Sequence, residues 1–264
     1  MCATCGCSDE AGVRVDGTAL PHEHSHEHGH SHHHEPERTL RTVSLEQDVL
    51  AKNAALAERN RGWLAARHIA AINLMSSPGS GKTTLLERTV AEATGLSITV
   101  IEGDQETPID ADRIRAGGTP TVQINTGAGC HLDAEMFAGG LRALDPQEGA
   151  VVLIENVGNL VCPALFDLGE QARVVLMSVT EGADKPLKYP HMFRGADLVV
   201  LNKVDLVTYV DFDEDRFHAD LRTINPSAPV QRVSATRGTG MRDWFAWLTE
   251  QAHSAGAAAE PILP

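Results

Sequence analysis

The sequence predicts an α/β protein built on a doubly wound, mostly parallel sheet of about seven strands, with helices on both faces. Seven short apolar runs lie between residues 69 and 234, and helical stretches of ten or more residues separate most of them. Runs that are apolar throughout fit strands buried on both faces, as parallel strands are. Hydrophobic residues make up 42% of the 264 residues, which is enough for one large domain.

The apolar runs also locate the candidate site. In a doubly wound sheet, ligands bind outside the carboxyl ends of the strands, so the residues that follow each run are the ones to inspect. The runs are IAAINLM (69–75), SITVI (97–101), TVQI (121–124), VVLI (151–154), VVLMSV (174–179), LVVL (198–201) and VQRVS (230–234).

Residues 1–43, which we call the N-terminal tail, differ in composition from the rest of the chain. They hold MCATCGC at the start, eight of the thirteen histidines in HEHSHEHGHSHHH (22–34), and almost no large apolar side chain. Such a segment buries too little surface to offset its ordering entropy, so we expect it to be flexible. The domain then spans 44–264.

The sequence SLEQ predicts that ordered structure begins at Ser44. A Ser three residues before a Gln is a capping-box pattern, in which each side chain satisfies a free backbone N–H at a helix start. Val49, Leu56 and Trp63 then recur seven residues apart, which places them on one helical face. We therefore expect a lead-in helix over 44–67.

Charge and composition exclude several classes of partner. The formal net charge is −14, which argues against nucleic acid or an anionic membrane. The apolar runs are too short to span a bilayer, and the first twenty residues lack a secretory pattern, so we expect a cytoplasmic protein. Thiols stay reduced there, and the five cysteines are candidate metal ligands or reactive thiols. Packing as small apolar side chains is the alternative for each.

A phosphate-binding loop follows the first run. SSPGSGKTT (76–84) matches the second half of the G-x-x-x-x-G-K-[ST] pattern, with Ser76 where the first Gly usually stands. An apolar strand before the loop and a helix-forming stretch after it supply the context of a P-loop NTPase. We expect Lys82 to reach the phosphates and the Thr83 hydroxyl to hold Mg²⁺. The predicted phosphate contacts are Gly79, Ser80, Gly81, Lys82, Thr83 and Thr84.

The sequence NKVD, directly after the sixth run, favours guanine over adenine. The carboxylate of Asp205 can accept hydrogen bonds from both N1–H and the exocyclic amine of guanine, whereas adenine would leave it unpaired. Asn202 and Lys203 complete the motif, and the SAT sequence that begins with Ser234 and Ala235 resembles the loop that offers a backbone N–H to guanine O6. We therefore expect GTP and GDP as ligands.

Two acidic residues follow further strands. Asp104 lies in VIEGDQET and Glu155 in LIENVG. Carboxylates at these positions can hold Mg²⁺ or orient the attacking water, so we group them with Lys82 as catalytic candidates. The spacing of Glu155 and Gly158 resembles the D-x-x-G segment that senses a γ-phosphate. Helix capping or ordinary polarity at a strand end is the alternative.

Soft metal ligands occur in two groups. Cys2, Cys5 and Cys7 can converge on one ion, with the amino terminus as a fourth donor, and Zn²⁺ and Ni²⁺ both suit that set. The second group follows the third and fourth runs: Cys130, His131 and Cys162. Three donors do not close a tetrahedral site, but a dimer that apposes two such loops could share a metal, with donors from both chains. An incidental thiol cluster in the first group, and loop packing in the second, are the alternatives.

The histidine tract lies between the thiol motif and the start of the domain. Alternating imidazoles on a flexible arm bind Ni²⁺, Zn²⁺ and Cu²⁺ weakly and exchange them quickly. The tract therefore reads as a metal buffer, with an engineered affinity tag as the alternative.

Together, MCATCGC, the histidine tract, SSPGSGKTT, GAGCHLD, ENVGNLVCPA and NKVDL resemble the HypB family, the hydrogenase nickel-incorporation GTPases of the SIMIBI class. The resemblance implies a GTP-hydrolysing nickel metallochaperone for [NiFe] hydrogenase maturation. It also implies a homodimer promoted by GTP or metal, a nickel-insertion partner, and the hydrogenase large subunit as the destination. Cys2, Cys5 and Cys7 would form the tight nickel site, and the second group would bind zinc or nickel.

Three other functions compete with this hypothesis. A urease-type nickel accessory GTPase would share the nucleotide motifs, but typically carries a Cys-x-His pair instead of CHLD. A small-molecule kinase would not need a guanine-reading motif. A metal-storage protein with a non-switching nucleotide site would explain only the tail.

Overall fold

The computed structural model describes residues 14–15, 18–19, 35–104, 109–127 and 129–257. The predicted tail falls largely outside these residues, together with the thiol motif and the histidine tract. The strands are β1 (Arg14–Val15), β2 (Thr18–Ala19), β3 (Ala70–Ser76), β4 (Ile98–Asp104), β5 (Thr121–Asn125), β6 (Val151–Glu155), β7 (Ala172–Ser178), β8 (Leu198–Asn202) and β9 (Val230–Arg232). The helices are α1 (Glu35–Ala66), α2 (Lys82–Glu92), α3 (Ile109–Ala116), α4 (Ala134–Leu144), α5 (Lys185–Lys188), α6 (Pro190–Arg194), α7 (Glu214–Ile224) and α8 (Met241–Ala257).

One sheet contains all these strands, in the order β2-β1-β5-β4-β6-β3-β7-β8-β9. In this spatial order, the seven neighbouring strands that begin with β5 and end with β9 all pair in parallel. Each of them corresponds to one of the seven predicted apolar runs. The predicted parallel α/β fold is therefore confirmed. The two-residue strands β1 and β2 add antiparallel pairs beside β5, within the range for which we expected a flexible tail.

Helices cover both faces of the sheet. On one face, α2 and α8 pack over the central strands, and the buried Trp244 of α8 donates from Nε1 to Thr89 Oγ1 of α2 at 2.8 Å. On the other face, α1 and α4 cover β4, β5 and β6, while α6 and α7 cover β7 and β8. Within the described chain, no helix combines the length and the apolar character that crossing a membrane requires.

Helix α1 differs from its predicted form in two respects. It begins at Glu35, upstream of the predicted cap at Ser44. Its buried face is also displaced from the predicted one, because Val49 is 46% exposed while Ala57 and Leu64 are buried. The centre of the packed face therefore lies one residue beyond the predicted heptad, whose Trp63 still packs against the core.

Two buried asparagines explain this displacement. Asn53 and Asn60 lie on the packed face of α1, and their side chains bind backbone groups of neighbouring segments. Asn60 Nδ2 donates to the carbonyls of Ala134 at 2.8 Å and Leu168 at 2.9 Å. Asn53 Oδ1 accepts from Ala134 N at 2.9 Å. These contacts satisfy backbone groups at the start of α4 and before β7, so polar residues replace apolar ones in the interface.

Replacement of Asn60 by alanine tests this interface. The variant removes both buried hydrogen bonds that Asn60 Nδ2 donates, so we expect the free energy of unfolding to fall by about 2 to 4 kcal/mol in urea denaturation. Lys52→Ala, on the same helix with a side chain 74% exposed, should change it by less than about 0.5 kcal/mol. Equal stability of the two variants would contradict the role assigned to Asn60.

Candidate nucleotide and metal site

The phosphate loop lies between β3 and α2, at the carboxyl edge of the sheet. Gly79 and Gly81 have φ of 74° and 98°, a region that disfavours residues with a Cβ. A Cβ on Gly81 would also lie 2.5 Å from Nδ2 of Asn202. Asn202 Nδ2 donates to the Ser80 carbonyl at 2.9 Å, so the glycine is required for the contact that holds the loop.

Lys82 and Thr83 begin α2 and point into the site. Lys82 is buried, and its Nζ donates to Ser76 Oγ at 2.9 Å. The residue that departs from the glycine pattern therefore binds the ammonium group. Burial lowers the pKa of Lys82, and nearby carboxylates, led by Glu155, oppose the shift. Thr83 Oγ1 donates to Glu155 Oε1 at 2.8 Å, which joins the loop to the end of β6.

A cavity of about 470 Å³ opens above this loop. Its lining includes the predicted Gly79, Ser80, Gly81, Lys82, Thr83, Thr84, Asp104, Glu155 and Lys203. It also includes Asp110, to which the sequence assigns no role, and Glu102 and Arg113, which the sequence did not single out. A loop, a buried ammonium group and a cavity of this size suit a nucleoside polyphosphate.

Glu102 is the main acidic residue that sequence reasoning missed. It is only 2% exposed, and burial, together with Glu155 and Asp104, raises its pKa to about 9. Burial also raises the pKa of Glu155, against the opposing effect of Lys82. A carboxylate inside a strand normally faces solvent, so only its position two residues before Asp104 could have indicated a role.

The acidic side of the cavity has the chemistry of a Mg²⁺ site. Mg²⁺ prefers oxygen ligands, and Thr83, Asp104 and Glu155 supply a hydroxyl and carboxylates at one edge. Among the described residues, the buried Oε2 atoms of Glu102 and Glu155 have no hydrogen-bond partner. Unpaired buried carboxylate oxygens are costly, and a cation or its bound waters would satisfy them. The residues therefore fit this cofactor.

The predicted base-binding residues lie on the other side of the phosphate loop. Asn202 Oδ1 accepts from Ala235 N at 3.1 Å, so one side chain ties the SAT loop to the phosphate loop. Lys203 has φ of 59°, and its Nζ donates to the Gly79 carbonyl at 2.6 Å. These contacts connect β8, the phosphate loop and the segment after β9.

The Asp205 carboxylate is held at the same end of the sheet. Asp205 Oδ1 accepts from Ser234 Oγ at 2.6 Å. Arg88 of α2, which sequence reasoning missed, donates from one nitrogen to the carbonyls of Ala235 at 2.9 Å and Thr236 at 3.1 Å. The SAT loop is thus fixed from both sides. The assignment of Asp205 and this loop to a guanine base stays a prediction.

Cys130, His131 and Cys162 come together in the structure. One ligand atom from each of these residues lies within 4.8 Å of the other two, and Cys130 Sγ is 3.7 Å from His131 Nδ1. The first two residues follow β5, and Cys162 begins a short 3₁₀ helix after β6. The cluster offers two sulfurs and a ring nitrogen from one subunit, the donor set that the sequence predicted.

The environment of His131 suits a metal ligand. The side chain is buried and stacks on Phe166 with ring centroids 3.9 Å apart. Burial lowers its pKa, with Asp133 opposing the shift, so the neutral ring predominates at neutral pH. A neutral imidazole has the free lone pair that a metal ion requires. Cys2, Cys5 and Cys7 lie outside the described residues, and their assignment stays a prediction.

The fold and the loop after β3 define a P-loop nucleotide-binding protein. The sequence model described as "CobW/HypB/UreG, nucleotide-binding domain" matches residues 70–232. Hydrogenase maturation factor HypB of Escherichia coli K12 is 55% identical over 212 residues, covering 80% of this chain and 73% of that protein. The chain therefore belongs to the HypB family, as its motifs predicted.

Two solved HypB structures show the same fold. The crystal structure from Archaeoglobus fulgidus shares 42% identity with a TM-score of 0.71, covering 76% of this chain and 99% of that one. HypB from Helicobacter pylori, crystallised in complex with nickel, shares 37% identity with a TM-score of 0.73, covering 81% and 99%.

Gly81→Ala tests the geometry of the phosphate loop. The added methyl group displaces Asn202, so we expect nucleotide affinity to fall by about 10- to 100-fold in titrations with a fluorescent guanine nucleotide, since a buried hydrogen bond is worth ~1–3 kcal/mol. Gly95→Ala is the control, because Gly95 has φ of 81° with nothing within 4 Å of an added Cβ. Unchanged affinity in the Gly81 variant would contradict the tie through Asn202.

Proposed function

We propose that this protein is a GTP-hydrolysing nickel metallochaperone, which stores nickel and delivers it for the maturation of [NiFe] hydrogenase. The observation that carries the proposal is the position of the Cys130–His131–Cys162 cluster at the sheet edge that also holds the phosphate cavity. Asn156 and Gly158 line that cavity, only a few residues before Cys162. Similarity to nickel-bound HypB and to HypB maturation factors supports nickel as the cargo.

The chemistry of the cluster supports a transferable ion. Two thiolates and a neutral imidazole suit borderline ions such as Ni²⁺ and Zn²⁺. Three donors leave a position for a ligand from a second subunit or from an acceptor protein. Val161 and Leu165, which flank Cys162, are 54% and 51% exposed. An apolar rim around an incomplete site fits a homodimer, promoted by GTP or metal, that apposes two such loops.

The nucleotide site supports GTP as the substrate. Lys82 would bind the phosphate oxygens, in exchange for its present contact with Ser76. Thr83, Asp104 and Glu155 would hold Mg²⁺, which neutralises charge between the phosphates during hydrolysis. Asp104 or Glu155 would orient the attacking water. The Asp205 carboxylate would accept from both donors of guanine, and Ala235 N would donate to O6 in exchange for its present contact with Asn202 Oδ1.

Hydrolysis would act as a switch on metal binding. A γ-phosphate that pulls on the segment from Glu155 to Gly158 would reshape the chain leading to Cys162, and hydrolysis would release it. Such coupling requires that GTP and GDP stabilise states with different metal affinity. We propose that the ion then passes to a nickel-insertion partner and on to the hydrogenase large subunit. The thiol motif and histidine tract would hold nickel in reserve, in the cytoplasm.

A urease-type nickel accessory GTPase is the second candidate, because the matched family model covers both branches. The contiguous Cys130–His131 pair, in which both side chains reach the cluster, favours the hydrogenase branch. Deletion of the gene should abolish nickel insertion into hydrogenase and leave urease active. A metal-storage protein would show no GTP hydrolysis, and a kinase would use ATP.

Asp205→Asn tests base selection. An amide offers one acceptor and one donor, so it mismatches guanine and matches xanthine, which has a carbonyl in place of the amine. We expect GTP affinity to fall by about 100-fold and xanthosine triphosphate affinity to rise, since each hydrogen bond from guanine to a charged carboxylate is worth ~1.5–3 kcal/mol and the amide leaves two donors facing each other. Asp211→Asn, an exposed carboxylate with the same charge change, is the control. Unchanged preference for GTP would remove Asp205 from the base site.

Nickel titration in two nucleotide states tests the switch. Replacing Cys2, Cys5 and Cys7 by serine leaves Cys130 and Cys162 as the remaining thiols of the five, so thiolate-to-nickel absorption then reports the cluster alone. With free nickel set by a chelator, we expect about ten-fold tighter binding with a non-hydrolysable GTP analogue than with GDP, a typical coupling. Equal affinities in the two states would rule the switch out.

A further inference from the structure

Asn156 is a buried amide between the nucleotide cavity and the metal cluster. It directly follows Glu155, whose carboxylate binds Thr83 at 2.8 Å, and it lines the phosphate cavity. Its side chain is turned away from β6 toward the segment that follows β5. Asn156 Oδ1 accepts from Leu132 N at 3.1 Å and from Val157 N at 3.0 Å. Leu132 is the residue next to the predicted ligand His131.

The opposite end of the amide is also fixed. Asn156 Nδ2 donates to Asn73 Oδ1 at 3.3 Å, and Asn73 Nδ2 donates to Glu170 Oε1 at 3.2 Å. Glu170 in turn accepts from Arg173 Nε at 2.6 Å. This row of buried polar groups crosses the middle of the sheet and fixes the orientation of the Asn156 side chain. A displacement of the β6 end therefore moves Oδ1 together with the backbone, since the amide cannot turn freely.

Leu132 also contacts the other acidic strand end. A Cβ on Gly103, which lies between Glu102 and Asp104, would come within 2.7 Å of the Leu132 side chain. Leu132 is fully buried, so its N–H has to be paired within the protein. The acidic ends of β4 and β6 thus both contact Leu132, the residue beside His131.

We propose that Asn156 is the positioning residue that links the two sites, by holding the Leu132 N–H and so setting the position of His131 according to the state of Glu155. This inference rests on the proposed function, because it identifies the contact that would carry the switch. Movement of the β6 end by a γ-phosphate shifts the side-chain oxygen Oδ1 of Asn156. Leu132 and the adjoining Cys130–His131 pair follow it, while Cys162 is moved through the chain itself.

The test compares the ratio of nickel affinities in the two nucleotide states. The full-length chain with serine at positions 2, 5 and 7 is the background, and each nucleotide is present at a saturating concentration. We expect the background to bind nickel about ten-fold more tightly with the GTP analogue than with GDP. In Asn156→Ala this ratio should fall to below about two-fold, because the Leu132 N–H loses its partner. Asn156→Asp retains an acceptor oxygen and should recover most of the ratio.

Asn53→Ala is the matched control. Asn53 is also buried and also accepts a backbone N–H of the same segment, from Ala134 at 2.9 Å, but it joins that segment to α1 and not to the nucleotide site. It should keep the ten-fold ratio even if it lowers the melting temperature as much as Asn156→Ala does. If Asn156→Ala does not fold, the ratio of nickel affinities is measured in Asn156→Ser instead.

Each outcome separates the link through Asn156, which we call the relay, from the proposed function. A background ratio of one overturns the switch itself and the relay with it. A ten-fold ratio that persists in Asn156→Ala leaves the switch intact and overturns the relay. Loss of the ratio in both Asn156→Ala and Asn53→Ala overturns it as well, because any loosening of the segment would then suffice.

Discussion

The parallel alignment of the central strands is the constraint on which the rest of the structure depends. Because β3, β4, β5, β6 and β8 run in the same direction, the residues that follow them meet at one edge of the sheet. The phosphate loop, the acidic residues, the predicted guanine-reading motif and the candidate metal cluster come from separate parts of the sequence and reach that edge for this reason. Apolar clusters on both faces keep the strands in register, so the edge is positioned by the whole core.

This edge concentrates like charges to a degree that folding alone would not favour. Glu102, Asp104, Asp110 and Glu155 surround the cavity, and the buried Lys82 lies among them. Burying carboxylates close together is unfavourable, and Glu102 reflects this in a pKa of about 9. A site of this kind is stabilised by a cation or by a proton, so its acidic lining fits the proposed Mg²⁺. The unpaired carboxylate oxygens are therefore better explained by ligand binding than by packing.

The sequence predicted most of the fold and much of the site because both depend on local patterns. Buried parallel strands have to be apolar throughout, so all seven were recognisable, and a phosphate loop needs Gly79, Gly81 and Lys82 at set spacing. The features that the sequence did not predict depend on tertiary contacts. The packed face of α1 is centred on Asn53 and Asn60, whose partners lie far away in the sequence, so a search for apolar periodicity placed that face one residue away from its true centre.

The same reason explains the other omissions. Glu102 is an acidic residue inside a strand, and the residues next to it in the sequence do not indicate that it is buried beside Glu155. Asn156 stands in a motif that was read for Glu155 and Gly158, while its own contacts, with Leu132 and Asn73, cross three segments. Polar groups that bridge segments leave no periodic signal, yet they join the two halves of the proposed site.

The central claim is that a metal ion and a nucleotide bind at one edge of one sheet. Anomalous diffraction at the nickel edge, from crystals of the chain grown with nickel and a GTP analogue, tests it most directly. The account predicts a nickel peak within bonding distance of Cys130 Sγ, Cys162 Sγ and a His131 ring nitrogen, with phosphates in the loop from Gly79 to Thr84. A nickel peak elsewhere on the domain, with these three side chains unliganded, would contradict it.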